Sequence, residues 1–240
     1  MTTTGPVPDR ILVVTAHPDD VDFGAAGSVA VWTDAGAAVS YCVVTDGDAG
    51  GFDPAVPRSA IPAIRRAEQT AAAAEVGVKE LVFLGYPDGQ LQPTLDLRRD
   101  LARVIRQVRP DRVLAPSPER YWGRIFASHP DHLAAGEATI CAVYPDARNP
   151  FAFPELRAEG LEAHTVGEVW IMASERADTF VDVTETFERK LAALRAHVSQ
   201  MTDADGGLEA RLREWLSMNT VRAGLPAGRL AESFHRVVTG

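Results

Sequence analysis

The chain has 240 residues, of which 46% are hydrophobic and 24% charged, and its formal net charge is −9. That length can enclose a substantial core, and the acidic balance argues against nucleic acid, whose phosphates attract basic faces. No run approaches the roughly 18 uninterrupted apolar residues of a membrane helix, and no Lys/Arg cluster resembles a membrane-surface patch.

Met1 to Arg10 is polar and lacks the basic start and apolar stretch of a secretory leader. Cys42 and Cys141 are isolated thiols, which suits a reducing compartment. The expectation is a cytoplasmic protein.

Arg10 to Thr15 (RILVVT) reads as a buried strand, apolar throughout instead of alternating. A helix follows from about Phe23 to Ala35, closed by Gly36 as a C-cap, and Val39 to Thr45 is the next buried strand. Ile61 to Val76 is an Ala-rich helix with Pro62 in its first turn and Gly77 at its end. Leu81 to Leu84 makes a third strand. Asp96 to Val108 is an amphipathic helix with Leu97, Leu101, Val104, Ile105 and Val108 on one face, and Arg112 to Ala115 is a fourth strand. Another helix runs from His132 to about Val143, followed by an irregular Pro-containing stretch through Gly167. Val169 to Met172 and Phe180 to Val183 read as strands, Thr184 to His197 and Leu208 to Met218 as helices. This alternation predicts an α/β protein: a three-layer Rossmann-like fold with a mostly parallel central sheet and helices on both faces. No repeat or linker divides the chain, so residues 1–240 are expected to form one domain.

In open α/β sheets ligands collect outside the carboxyl ends of the strands. The first strand ends in Thr15-Ala16-His17-Pro18-Asp19-Asp20, and the fourth is followed by Ser128-His129-Pro130-Asp131-His132. Either cluster alone also suits helix capping by Asp20, Asp22 or Asp131. Two His-Pro-Asp loops at two strand ends point instead to a metal. Catalytic zinc commonly takes three protein ligands and keeps one open position, and His17, Asp20 and His132 offer two neutral donors and one anion. Asp19 then remains as general base, His129 as donor to an oxyanion, and Asp131 as the group that orients His129.

The two clusters resemble the paired signatures of the LmbE-like, or PIG-L, deacetylases. The likeness extends through Thr45-Asp46-Gly47-Asp48-Ala49-Gly50, Arg65-Arg66-Ala67-Glu68 and Leu84-Gly85-Tyr86-Pro87-Asp88-Gly89. It continues in Lys190 with Ala196-His197-Val198-Ser199-Gln200, and in Ala231-Glu232-Ser233-Phe234. The resemblance implies zinc on His17, Asp20 and His132 (another divalent transition metal such as Fe2+ suits the same donors). It also implies catalysis by Asp19, His129 and Asp131, and substrate contact by Arg65 and Asp88. The implied activity is removal of an N-acetyl (acyl) group from an N-acetylglucosaminyl-type small-molecule conjugate, such as a thiol-cofactor precursor, an antibiotic or another glycoside. A catalytically silent sugar-binding protein, and an amidase acting on a thiol-cofactor S-conjugate, are the alternatives.

Two positions depart from common members: Val21 follows the Asp pair where many carry Glu, and Ala127 stands where some place a tyrosine. Tyr121 is the nearest replacement in sequence. The expected partner is a small amino-sugar conjugate, with no nucleic acid or membrane, and self-association is an expectation. No G-x-G-x-x-G, Walker A, G-x-S-x-G, H-E-x-x-H or C-x-x-C pattern supports a rival chemistry. A magnesium site is disfavoured because magnesium prefers oxygen ligands. His164, His197 and His235 lack metal-spaced neighbours and are expected in capping or core roles.

Overall fold

The computed structural model describes residues 6–201 and 207–240. Residues 1–5 of the polar N-terminal stretch lie outside the described residues. Seven strands form one sheet: β1 (Arg10–Thr15), β2 (Ala38–Thr45), β3 (Glu80–Tyr86), β4 (Arg112–Pro116), β5 (Glu168–Met172), β6 (Thr179–Asp182) and β7 (Ala231–Val238). Their order is β3-β2-β1-β4-β5-β7-β6. The first five strands pair in parallel, whereas β7 runs antiparallel to both β5 and β6.

The unbroken apolar run of β1 follows from burial on both faces. Ile11 and Val13 join one core cluster, and Leu12 and Val14 join the other across the sheet. The first cluster is covered by α2 (Ala26–Asp34), α3 (Ile61–Glu75), α7 (Phe187–Arg195) and α8 (Gly207–Ala223). The second is covered by α4 (Leu95–Val108), α5 (Pro130–Cys141) and α6 (Pro154–Ala158). The expected layered α/β architecture is therefore present. Thr94 caps α4, its hydroxyl accepting from the Leu97 N–H at 3.2 Å.

Four elements differ from the sequence-based expectation, one of them α6 (Pro154–Ala158), which stands in the stretch expected to be irregular. The helix predicted from Phe23 begins earlier, as α1 (Asp20–Gly24), and breaks at Ala25, whose φ of −148° is not helical. After α5 the backbone widens through Ala142–Ala147 around Pro145, which has no N–H to continue the regular ladder. β7 was not anticipated as a strand, because Glu232, His235 and Arg236 interrupt its apolar pattern. Among the described residues no helix is long and apolar enough to cross a membrane.

Candidate active site

β1 and β4 are neighbours, but the chain leaves β1 toward β2 on one side of the sheet and leaves β4 toward β5 on the other. This reversal opens a crevice at the carboxyl ends of both strands. Residues 16–20 and 117–132 meet there. Pro130 occupies the first turn of α5, where its missing N–H costs nothing. His129 caps the helix, its Nδ1 accepting from the Asp131 N–H at 3.2 Å. As neutral imidazole, His129 therefore carries its proton on Nε2. Burial and the neighbouring His17 lower its pKa.

The three predicted ligands come together. His17 Nδ1 lies 3.3 Å from His132 Nε2, and Asp20 oxygens lie 3.5 Å from the first nitrogen and 3.0 Å from the second. Donors on a four-coordinate ion with bonds of about 2.0–2.1 Å stand about 3.3 Å apart. The tautomers agree with that use. His132 Nδ1 is 3.1 Å from the Ala127 carbonyl and so holds the proton. His17 Nε2 faces Asp88 at 3.0 Å and Asp131 at 3.2 Å and holds its own. With both rings neutral, two nitrogen lone pairs face each other beside a carboxylate, an arrangement that a cation between them would satisfy.

The electrostatics point the same way. Burial alone would lower the His17 pKa, but Asp20, Asp131 and Asp88 outweigh it and raise it to about 12. Burial opposes ionisation of Asp20, yet the two imidazoles hold it well below the usual carboxylate range. Two imidazoles and a carboxylate at these separations fit a divalent transition metal. His17, His129 and Asp131 also bring donors within 4.8 Å of one another. There, however, the Asp131 oxygens already accept from the N–H groups of Gly89 at 2.7 Å and Leu91 at 3.1 Å.

Those bonds place the Asp131 carboxylate against His17 at 3.2 Å. Its hydrogen bond to His129 comes from the backbone N–H, while the carboxylate acts on that ring through its charge. The cause is the turn after β3, whose amide groups clamp the carboxylate on the His17 side. Carboxylates behind a metal-binding histidine fix its ring and raise its basicity. Asp131→Asn is accordingly expected to weaken metal affinity about 10- to 100-fold. Competition with a chromogenic chelator measures this, and an unchanged affinity contradicts it.

Arg65 and Asp88, expected to meet substrate, are turned toward the protein. Arg65 is 3% exposed. Its Nη2 donates to the Pro18 carbonyl at 2.5 Å and to Asp19 at 3.0 Å, and its Nη1 to the Gly47 carbonyl at 3.1 Å. The loop around it is built of glycine for that reason. Gly47 sits at φ +61°, and a Cβ on Gly50 would stand 2.6 Å from the guanidinium. Asp88 is 8% exposed and accepts from the Ala49 N–H at 3.2 Å, with its other oxygen on His17.

Asp19 stands beside the three donors at φ +89°, a left-handed conformation costly for a residue with a side chain. Gln69 accepts its backbone N–H at 2.8 Å, while Arg65 holds its carboxylate. Burial, then the charge of Asp20, push the Asp19 pKa up, and Arg65 opposes them.

Sequence reasoning missed Gln69. Its signal was the four-residue spacing from Arg65, which puts both on one face of α3. Gln69 also donates to Asp22 at 2.9 Å, and Asp22 is 2.8 Å from His197 Nε2, both side chains fully buried. Lys190 donates to the carbonyls of Asp22 and Phe23 and to Glu232, and Glu232 accepts from the N–H groups of Gly27 and Ser28. The distant motifs thus converge on the chain just after the His17–Asp20 loop.

One flank of the centre opens into a cavity of about 690 Å3 whose walls include Asp20, His132 and Tyr121. Tyr121, the nearest sequence replacement for the family tyrosine, therefore borders the same space as two of the proposed ligands.

The sequence model of PIG-L, GlcNAc-PI de-N-acetylase, matches residues 12–143. Diacetylchitobiose deacetylase of Thermococcus kodakarensis is 35% identical over 195 residues, covering 81% of this chain and 71% of that protein. The chain belongs to the PIG-L family. Another relative, a probable N-acetyl-alpha-D-glucosaminyl L-malate deacetylase 2 of Bacillus cereus, is 34% identical over 80% of this chain and 83% of its own length. Among solved structures, N,N'-diacetylchitobiose deacetylase from Pyrococcus horikoshii, complexed with its inhibitor MPG, superposes with a TM-score of 0.88. It is 30% identical, covering 96% of this chain and 84% of that one. The PIG-L match spans both His-Pro-Asp loops, so the family assignment and the convergence of donors concern the same residues.

Proposed function

We propose that this PIG-L protein is a zinc-dependent hydrolase that removes the N-acetyl group from an N-acetylglucosaminyl-type small-molecule conjugate. The observation that carries the reading is the meeting of His17, Asp20 and His132 with Asp19 beside them. The named relatives, deacetylases of diacetylchitobiose and of an N-acetylglucosaminyl malate, support the substrate class. Zinc is favoured by the donor set, which Fe2+ also suits. The free thiols of Cys42 and Cys141 support a cytoplasmic location.

His17, Asp20 and His132 would hold the ion, with Asp131 and Asp88 fixing the His17 ring. When bound, the ion supplies Lewis-acid polarisation of the amide carbonyl and acidifies water. Asp19 accepts a proton from the attacking water and returns it to the departing amine, so that amide and water become acetic acid and a primary amine, which then ionise to acetate and ammonium. His129 donates from Nε2 to the oxyanion that develops on the carbonyl. Arg65 positions the Asp19 carboxylate for the proton transfers.

The test is a primary-amine release screen against N-acetylglucosaminyl conjugates. Release abolished by a chelator and restored by Zn2+ is the expected result. No release from any conjugate, or release indifferent to the chelator, would overturn the reading.

A further inference from the structure

We infer that the cavity beside the metal centre receives the aglycone of the substrate, and that this aglycone carries an anionic group, carboxylate or phosphate, held by Arg124. The inference deepens the hydrolase reading above and rests on it. Beyond the reacting carbonyl an acetyl group contributes only a methyl. The space of about 690 Å3 bordered by Asp20 and His132 is therefore left to the sugar side of the amide. It lies within the roughly 300–1,000 Å3 of pockets that hold small molecules. Its walls are mixed, as a glycoside requires: Tyr121, Ser174 and Ser233 bring hydroxyl groups, and Phe23, Met172 and Trp215 bring apolar surface.

The charges on those walls select the aglycone. Arg124, Arg211 and Arg222 stand against two acidic residues, Asp20 and Glu232, in a chain whose net charge is −9. Both acidic groups are already compensated. Asp20 faces the two imidazoles, and Glu232 is paired with Lys190 at 2.7 Å and accepts from the N–H groups of Gly27 and Ser28. Arg124, by contrast, has no carboxylate partner among the described residues. It lies over the rings of Trp215 at 5.0 Å, Phe126 at 5.1 Å and Tyr121 at 5.9 Å. Ring faces attract the cation but are not strong acceptors for its five N–H donors. Arg222 likewise meets only the Ala177 carbonyl and the Phe180 ring. It shares one stripe of α8 with Trp215 and Met218, at helical spacing along the cavity.

Position agrees with charge. Arg124 is three residues from Ala127, whose carbonyl is bonded to His132 Nδ1, so their Cα atoms are at most about 11 Å apart. A guanidinium held by aromatic rings offers its fork to the paired oxygens of a carboxylate or phosphate. Local positive charge in an acidic chain also draws such a group to this mouth.

The experiment measures primary-amine release by the full chain supplied with Zn2+, from matched pairs of N-acetylglucosaminides. One pair has carboxymethyl and carbamoylmethyl aglycones, the other phosphoethyl and hydroxyethyl. In at least one pair, kcat/KM for the anionic member is expected to exceed that for the neutral one about 10- to 100-fold. The pair that responds tells carboxylate from phosphate, and added salt should shrink the ratio. Arg124→Gln should bring the ratio near one, Arg124→Lys should keep part of it, and Arg222→Gln should lower it less. If Arg124 only ties its segment to α8, both members of a pair fall together and the ratio stays. As a readout independent of turnover, calorimetry with the chelator-stripped chain should show the anionic member binding more tightly, a difference lost in Arg124→Gln.

Release from both pairs with no gain for either anionic member overturns the inference and leaves the deacetylase reading standing. A preference that survives both Arg124→Gln and Arg222→Gln overturns it as well. Release from none of the compounds overturns the hydrolase reading. In that case a calorimetric preference lost in Arg124→Gln still upholds the anion site, and its absence overturns both.

Discussion

Asp19→Ala is expected to keep its metal and lose about 10²- to 10⁴-fold in kcat, the usual contribution of a positioned general acid–base group. The separation of the two effects follows from where the side chain points. Its oxygen lies 3.0 Å from Arg65, outside the trio formed by His17, Asp20 and His132, so its loss removes no ligand. The backbone strain at φ +89° argues that this side chain is held for use. Gln69 holds the backbone N–H of the residue, and Arg65 its carboxylate. Truncation also leaves Arg65 with one acceptor fewer, so Asp19→Asn, which preserves shape, provides the companion measurement. Both variants should show wild-type metal content by elemental analysis together with the lost turnover. Normal turnover in either would remove Asp19 from the role of base.

Lys190→Ala is expected to produce the largest loss of stability, although the residue lies away from the proposed chemistry. The Lys190 side chain is 0% exposed and its partner Glu232 1% exposed, at 2.7 Å. Removing one member of a buried pair strands the other charge and typically costs about 3–5 kcal/mol. At roughly 2–4 °C per kcal/mol for a chain of this size, Tm should fall by roughly 6–20 °C. Lys190 also holds the carbonyls of Asp22 and Phe23, so the loop carrying Asp20 should loosen before the rest of the molecule. The double variant Lys190→Met/Glu232→Leu should recover much of the loss, because no lone charge remains buried. A fall of less than about 3 °C in Lys190→Ala would show that the pair is dispensable.

The sheet and the meeting of the two His-Pro-Asp segments were legible because their signals are local. A strand buried on both faces must be apolar throughout, and Arg10 to Thr15 is. A loop that holds a metal must place donors at a strand end, and both His-Pro-Asp clusters lie there. What could not be read depends on approach in space. The Asp131 carboxylate could serve either histidine by spacing alone. Its assignment to His17 depends on the amides of Gly89 and Leu91, some 40 residues distant. Arg65, expected at the substrate, gives no sign in sequence of the Pro18 and Gly47 carbonyls that surround it. β7 hid because its Glu232 is buried as an ion-pair partner, so the polar letter marks an interior position. The cavity was invisible for a similar reason: its walls come from α8, the residue 121–127 segment and the end of β5, and no one stretch announces a pocket.

The central claim is that two distant loops share one divalent ion, and calorimetric titration of the chelator-stripped chain with Zn2+ tests it most directly. The account predicts one site per chain in the wild type, retained in Asp19→Ala and lost in His132→Ala. Undiminished binding in His132→Ala, or no stoichiometric binding in the wild type, would contradict it.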